Sequence, residues 1–298
     1  MSVVKGTDPI DITLTAVKLA GGLANVVRRG DVVLVKPNLV TALPASSGAS
    51  TDPRIVEALV QLSREAGARD VIIAEGSGGS TTTDAFSVCG YYELSERIGV
   101  KLIDLNADAK VNLGVKDGFL FKSFSVAKTV AECDVIINVA KMKTNIGCVL
   151  SGTIKNILGV IPGTILNRGP YKDQGPKTGL IDCHIRGLNY AIIDLNRALR
   201  TNFAVIDALV GMQGKGPAEG TPVKMGLVLA GVDPVATDAV EAAIMGFDPQ
   251  KILHLRLASQ AGLGVSSLDQ IEVKGESLHD VMRTFKPCYA AHRKDFGL

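Results

Sequence analysis

The residues most able to do chemistry sit in short polar clusters, each directly after an apolar run. Lys141-Met142-Lys143-Thr144-Asn145 follows the run 135–140. If that strand persists, Lys141 and Lys143 point to the same side, because side chains alternate. Two neighbouring ammonium groups repel, which favours either a bound anion or a lowered pKa on one amine, suited to a base or nucleophile. An exposed basic strand end is the plainer alternative. Lys155 is the one charge between Gly147 and Gly159. An ammonium buried alone is costly, and no carboxylate is near in sequence, so a ligand is its expected partner; a snorkelling lysine is the alternative. Glu75 follows the run 71–74 and precedes Gly76-Ser77-Gly78-Gly79. It is placed to act as general base or metal ligand, and the glycine turn could offer backbone N–H groups to a phosphate or carboxylate. Lys36-Pro37-Asn38 follows the run 32–35, and Asp233 follows 227–230. Asn38 could serve only an Asx-turn, and Asp52 only a helix cap.

The elements that must position these groups are legible from periodicity. The runs 32–35, 71–74, 135–140, 203–206 and 227–230 are rich in Val, Ile or Leu and read as buried strands, with 101–105 and 270–273 as further candidates. Helical patterns cover 13–29, 53–66 and 234–245. In the second and third of these, Asp52 and Asp233 stand as caps, Pro53 and Pro234 in the first turn, and Gly67 and Gly246 as stops. Strands alternating with helices predict an α/β fold with largely parallel sheets flanked by helices. In such sheets the carboxyl ends share one edge, where ligands bind. Lys36, Glu75, Lys141 and Asp233 are therefore expected to converge there. Two lobes are expected, 1–147 and 148–298, with the site in a cleft between them. The polar segment 162–182 is a lid candidate, and the Gly- and Pro-rich stretch 211–222 a second loop.

Composition narrows the function classes. The 298 residues are 46% hydrophobic, only 4% aromatic and without Trp, so the core is aliphatic. A net charge of +2 argues against a general nucleic-acid binder. The five cysteines are scattered and odd in number, so neither a disulfide framework nor an iron–sulfur cluster is expected. The beginning of the chain lacks the apolar stretch of a signal peptide, and charges break the stretch 225–247. A cytoplasmic protein is the expectation. Of the histidines His184, His254, His279 and His292, no two have metal-ligand spacing. His184 borders the lid candidate and could move a proton, whereas His254 reads as a packed core residue. Asp238 and Glu241, one helical turn apart, could bind a metal or simply complement a helix dipole. Neither the dinucleotide glycine fingerprint nor a P-loop is present.

Taken in order, Lys36-Pro37-Asn38, Thr51-Asp52-Pro53, Glu75-Gly76-Ser77-Gly78, Lys141-Met142-Lys143-Thr144, Lys155-Asn156-Ile157-Leu158-Gly159, Gly211-Met212-Gln213-Gly214-Lys215-Gly216-Pro217 and Asp233-Pro234-Val235-Ala236-Thr237-Asp238 resemble the uncharacterised family called domain of unknown function 362. That family's pattern usually has His after Lys-x-Lys-Thr; here Asn145 stands in that place, which puts an imidazole role there in doubt. Some family members are linked to iron–sulfur modules. More distantly the chain is similar to the lactate racemase family, which uses a nickel-pincer nucleotide held by a lysine. The likeness implies Lys155 as the corresponding anchor and a racemase- or lyase-like reaction. The paired metal-binding histidines of that family are missing.

The expected function is an enzyme acting on a small anionic metabolite, with Glu75, Lys143 and Lys155 as catalytic candidates. Lys36, Asn38, Thr51, Asp52, Gly76, Ser77, Gly78, Lys141, Thr144, Asn145, Asn156, Gly216 and Asp233 are the binding candidates. The alternative is a non-catalytic binding protein for a phosphorylated ligand or cofactor. No nucleic acid or membrane partner is expected, a homodimer is left open, and the cofactor and any metal are unassigned.

Overall fold

The computed structural model describes the backbone of residues 1–163 and 178–288. Most of the lid candidate therefore lies outside the described residues. The first part of the chain runs β1 (Ser2–Lys5), α1 (Pro9–Leu19), β2 (Val32–Lys36), α2 (Pro53–Glu65), β3 (Asp70–Glu75), α3 (Thr82–Val88), α4 (Tyr91–Ile98), β4 (Lys101–Asp104), β5 (Lys110–Gly114), β6 (Ser123–Ala127) and α5 (Lys128–Glu132). It continues with β7 (Val135–Asn145), β8 (Val149–Leu150), α6 (Thr153–Asn156), α7 (Thr178–Ala198), β9 (Phe203–Gln213), β10 (Thr221–Gly231), α8 (Pro234–Ile244), α9 (Leu253–Gln260), β11 (Lys274–Gly275) and α10 (Leu278–Val281).

A nine-stranded sheet organises the fold, in the order β11-β1-β10-β9-β7-β2-β3-β4, with β8 paired to β7 outside that path. The strands β9, β7, β2, β3 and β4 are mutually parallel. Their alternating side chains feed two cores, one on each face. Val33, Val35, Ile73, Ile137 and Val139 pack in the core that includes Ala16, Val17, Ile55 and Leu59 of α1 and α2. Leu34, Ile72, Ala74, Ile136 and Ala140 pack in the core that includes Ile154, Ile192, Val240 and Leu255 of α6, α7, α8 and α9. Burial on both faces is what continuous aliphatic runs imply. Asp52 and Asp233 cap α2 and α8 as expected, and α1 starts earlier than its apolar pattern suggests because Asp8 caps it.

Three expectations are corrected. The division at 147/148 has no counterpart in the sheet, since β1 pairs with β10 and β11, and β7 with β8 and β9. The loop expected over 211–222 is confined to residues 214–220, because β9 and β10 extend into the stretch from both sides as a hairpin. A parallel return needs a crossover of roughly a dozen residues or more, so this connection reverses the chain and makes β10 antiparallel to β9. The carboxyl end of β10 thus lies at the opposite edge from those of β2, β3 and β7. The strand expected over 270–273 is displaced to the two residues of β11.

Candidate active site

The carboxyl ends of β2, β3 and β7, together with α6, enclose a cavity of about 320 Å³. Among its lining residues are Lys36, Asn38, Glu75, Gly76, Gly78, Asn145, Lys155 and Asn156. Eight of the expected site residues are therefore brought together. Lys36 is wholly buried. Its Nζ donates to Glu75 Oε2 at 3.0 Å, to Pro37 O at 3.0 Å and to Asn156 Oδ1 at 3.2 Å. Glu75 Oε1 lies 3.0 Å from the same ammonium and accepts Gly76 N at 2.8 Å, while Oε2 accepts Leu39 N at 3.0 Å. Burial lowers the Lys36 pKa, and Glu75 opposes that shift. Gly159 closes over this pair so tightly that a Cβ there would meet Glu75 Oε1 at 2.4 Å and Lys36 Nζ at 2.9 Å.

Amide side chains tie the pair to the helix above it. Asn38 Nδ2 donates to Asn156 Oδ1 at 2.7 Å, and Asn156 Nδ2 to Asn138 Oδ1 at 2.7 Å. Asn138 Nδ2 donates to Thr153 O at 2.8 Å and to Thr201 Oγ1 at 3.1 Å. The first turn of α6 is pinned by Asp238, which accepts Thr153 N at 2.6 Å, Thr153 Oγ1 at 2.7 Å and Ile154 N at 2.9 Å. Asp238 thereby fixes where Lys155 and Asn156 stand. Burial pushes its pKa up to about 7 despite those bonds.

The two lysines of β7 take different roles. The strand does persist through both. Lys141 forms a fully buried ion pair with Asp207 at 2.7 Å, so its charge is compensated from within, by a residue outside the expected site. Lys143 donates to Asn38 Oδ1 at 2.6 Å and Ala49 O at 2.5 Å. Burial, with Lys155 and Lys141 adding repulsion, holds its pKa well below the ordinary lysine value. Neither of those two acceptors is a carboxylate. Lys143 does not line the cavity; Asn38 stands between them.

Other expected residues serve as framework. Thr51 Oγ1 accepts Asn38 N and donates to Val139 O. Asp52 is bonded by Arg54, which holds its carboxyl below the usual range against the opposing effect of burial, and its N–H reaches Asp207 Oδ2. Thr144 Oγ1 donates to Gly214 O, and Gly216 presses against Thr144 O so closely that only a hydrogen fits there. The glycine turn departs from the anion cradle expected of it. Gly76 N bonds Glu75, Ser77 N bonds Thr82 Oγ1 and Gly79 N bonds Val40 O, so three of its four N–H groups are already used. Asp233 departs most. At the opposite sheet edge it accepts Ala236 N and Val265 N and lines a different cavity, because β10 runs antiparallel.

Lys155 is half-buried in the cavity wall and has no hydrogen-bond or ion-pair partner among the described residues. His184 also lines the cavity. It is the one histidine there among the described residues, so the donor set does not supply the paired imidazoles of a nickel-pincer centre. Among the described residues no cluster of His, Cys, Asp and Glu could hold a metal ion, and no helix is long and apolar enough to cross a membrane. Asp207, Asn138, Gly159 and Asp238 were absent from the expected site. Asp207 could have been found, since it follows its apolar run as Lys141 follows its own.

The chain is similar to the thylakoid-associated protein sll1697 of Synechocystis sp., with 25% identity over 255 residues that cover 86% of this chain and 75% of that protein. The structure of the lactate racemase apoprotein from Thermoanaerobacterium thermosaccharolyticum matches 77% of this chain, with a TM-score of 0.42 and 15% identity; the match spans only 53% of that longer chain. A family model matches residues 33–243. That stretch begins in β2 beside Lys36, ends in α8 beyond Asp238 and so contains every side chain of the cavity; the chain belongs to the family described as Domain of unknown function (DUF362).

Proposed function

We propose that the cavity at the carboxyl ends of β2, β3 and β7 binds a small anionic metabolite and acts on it by proton transfer. The observation that carries this reading is Lys155. The buried cations Lys36 and Lys141 each have a carboxylate, whereas Lys155 faces the cavity with none among the described residues. A carboxylate or phosphate in the cavity would complete the charge balance. The Lys36–Glu75 pair in the same wall is the proton-handling group, because burial already disfavours its ammonium form. A second reading, binding without chemistry, is supported by Glu75 itself. Each of its oxygens accepts a backbone N–H besides facing Lys36, which suits a structural carboxylate.

Native mass spectrometry of freshly purified protein, with and without Lys155→Met, tests the site. The expected result is a retained small molecule that the variant loses, with apo stability within about 0.5 kcal/mol of the parent, since the replaced ammonium has no acid partner to orphan. An apo loss of roughly 3–5 kcal/mol with the molecule still bound would assign Lys155 to the scaffold. Incubation in deuterium oxide then separates the two readings. Deuterium entering a carbon position of the retained molecule supports proton transfer, and none entering supports binding alone.

A further inference from the structure

A second cavity is larger than the one just described. At the opposite edge of the sheet, where β9 begins and the antiparallel β10 ends, lies a space of about 600 Å³. Its lining includes Lys116, Asp117, Arg197, Arg200, Thr201 and Asp233. The volume falls within the range of small-molecule sites.

Its charges are arranged unlike those of an ordinary solvated surface. Lys116, Arg197 and Arg200 all line it, and none makes an ion pair among the described residues. Arg197 is held in place rather than free to sweep. Its Nη1 donates to the backbone carbonyls of Lys116 and Asp117, and its guanidinium carbon lies 5.2 Å from the Phe119 ring centroid. Those contacts leave Nη2 without an acceptor among the described residues, whereas Nε is buried out of a ligand's reach. A guanidinium fixed by carbonyls, with Nη2 to spare, is preorganised to donate to an oxyanion. Of the two carboxylates in the wall, Asp233 has Oδ1 on Ala236 N and Oδ2 on Val265 N and makes no ion pair with the three cations among the described residues. Asp117 makes no ion pair among the described residues, and Arg197 is bonded to its backbone and not its side chain.

We propose that this opposite-edge cavity is a second binding site, for a phosphorylated small molecule, with Arg197, Arg200 and Lys116 as its phosphate ligands. The site is separate from the Lys155 cavity, and the short helix α6 stands between them: Ile154 lines one and Lys155 the other.

Inorganic pyrophosphate is the probe, titrated calorimetrically into the full chain carrying Lys155→Met, so that uptake at the other cavity is suppressed. The Lys155→Met protein is expected to bind pyrophosphate with a Kd near or below about 1 mM. Adding Arg200→Met and Lys116→Met, both exposed positions, is expected to weaken that binding by at least about tenfold without altering thermal unfolding of the free protein. The backbone amide signals of Gly262 and Gly264, which line this cavity, are expected to shift on titration. No binding to the Lys155→Met protein, or equal affinity after the two further substitutions, overturns the proposal. Because Lys155 is absent throughout, neither result bears on the reading of the first cavity, which fails separately if Lys155→Met leaves the retained molecule in place.

Discussion

Two lysine–carboxylate pairs each join neighbouring parallel strands, and their surroundings differ. Lys141–Asp207 joins β7 to β9 with both side chains at 0% exposure and lines neither cavity described above. Lys36–Glu75 joins β2 to β3 with 1% and 4%, and lines one. The distances, 2.7 and 3.0 Å, are close. The same pairing is scaffold in one place and cavity wall in the other, so a buried ion pair by itself says little about function. What distinguishes them is what each pair touches besides itself.

The largest effect that would test this contrast comes from breaking each pair on its acid side. Asp207→Asn leaves Lys141 uncompensated and weakens acceptance from Asp52 N and Leu209 N. It is expected to cost roughly 3–5 kcal/mol in denaturant unfolding. Glu75→Gln is expected to cost less, roughly 1–3 kcal/mol, because Lys36 keeps Pro37 O and Asn156 Oδ1 as acceptors and burial already lowers its pKa. Equal losses would erase the distinction and make Glu75 scaffold too.

A smaller effect comes from pH. Asp238 holds α6 over the Lys36–Glu75 pair, and its pKa in the folded chain is raised from 3.8 to about 7. The folded state therefore binds more protons than the unfolded one between those values, so this residue's contribution to stability is greatest below pH 3.8 and falls as pH rises to about 7. Chemical denaturation across that window is expected to show the decline, and Asp238→Asn to flatten it. An unchanged slope in the variant would locate the proton elsewhere. Smallest of all, Gly159→Ala inserts a methyl group against Glu75 Oε1 and Lys36 Nζ. A loss of about 1–2 kcal/mol is expected, with no counterpart at the Lys141–Asp207 pair. A neutral result would mean the wall yields easily there.

Much of this was legible in the chain. Aliphatic runs located β2, β3, β7, β9 and β10, and the polar residues after three of them do meet at one edge. What misled was the run 227–230, whose composition is the same in a parallel or an antiparallel strand. The cue lay in the connection: no helical pattern separates 203–206 from 227–230, and without a crossover the chain must turn back. Asp233 followed β10 to the far edge for that reason. The anion reading of Lys141 failed because its partner, Asp207, lies 66 residues away in sequence and beside it only in the sheet. The lowered pKa of Lys143 was one of the two outcomes that crowded ammonium groups allow. The glycine turn was misjudged because sequence shows N–H groups without showing which are already used.

The buried amides carry a direction. An ammonium can only donate, so Lys36 obliges Asn156 to present its oxygen, and Asn38 turns its nitrogen to that same oxygen. The nitrogen of Asn156 must then meet the oxygen of Asn138, whose own nitrogen is left for Thr153 and for Thr201 in the wall of the far cavity. Asn38, for its part, has only its oxygen left for Lys143. No one of these amides can turn over alone, because that would set nitrogen against nitrogen or oxygen against oxygen. Their orientation is a single collective property, written at the lysines and legible at Thr201, at the other edge of the sheet.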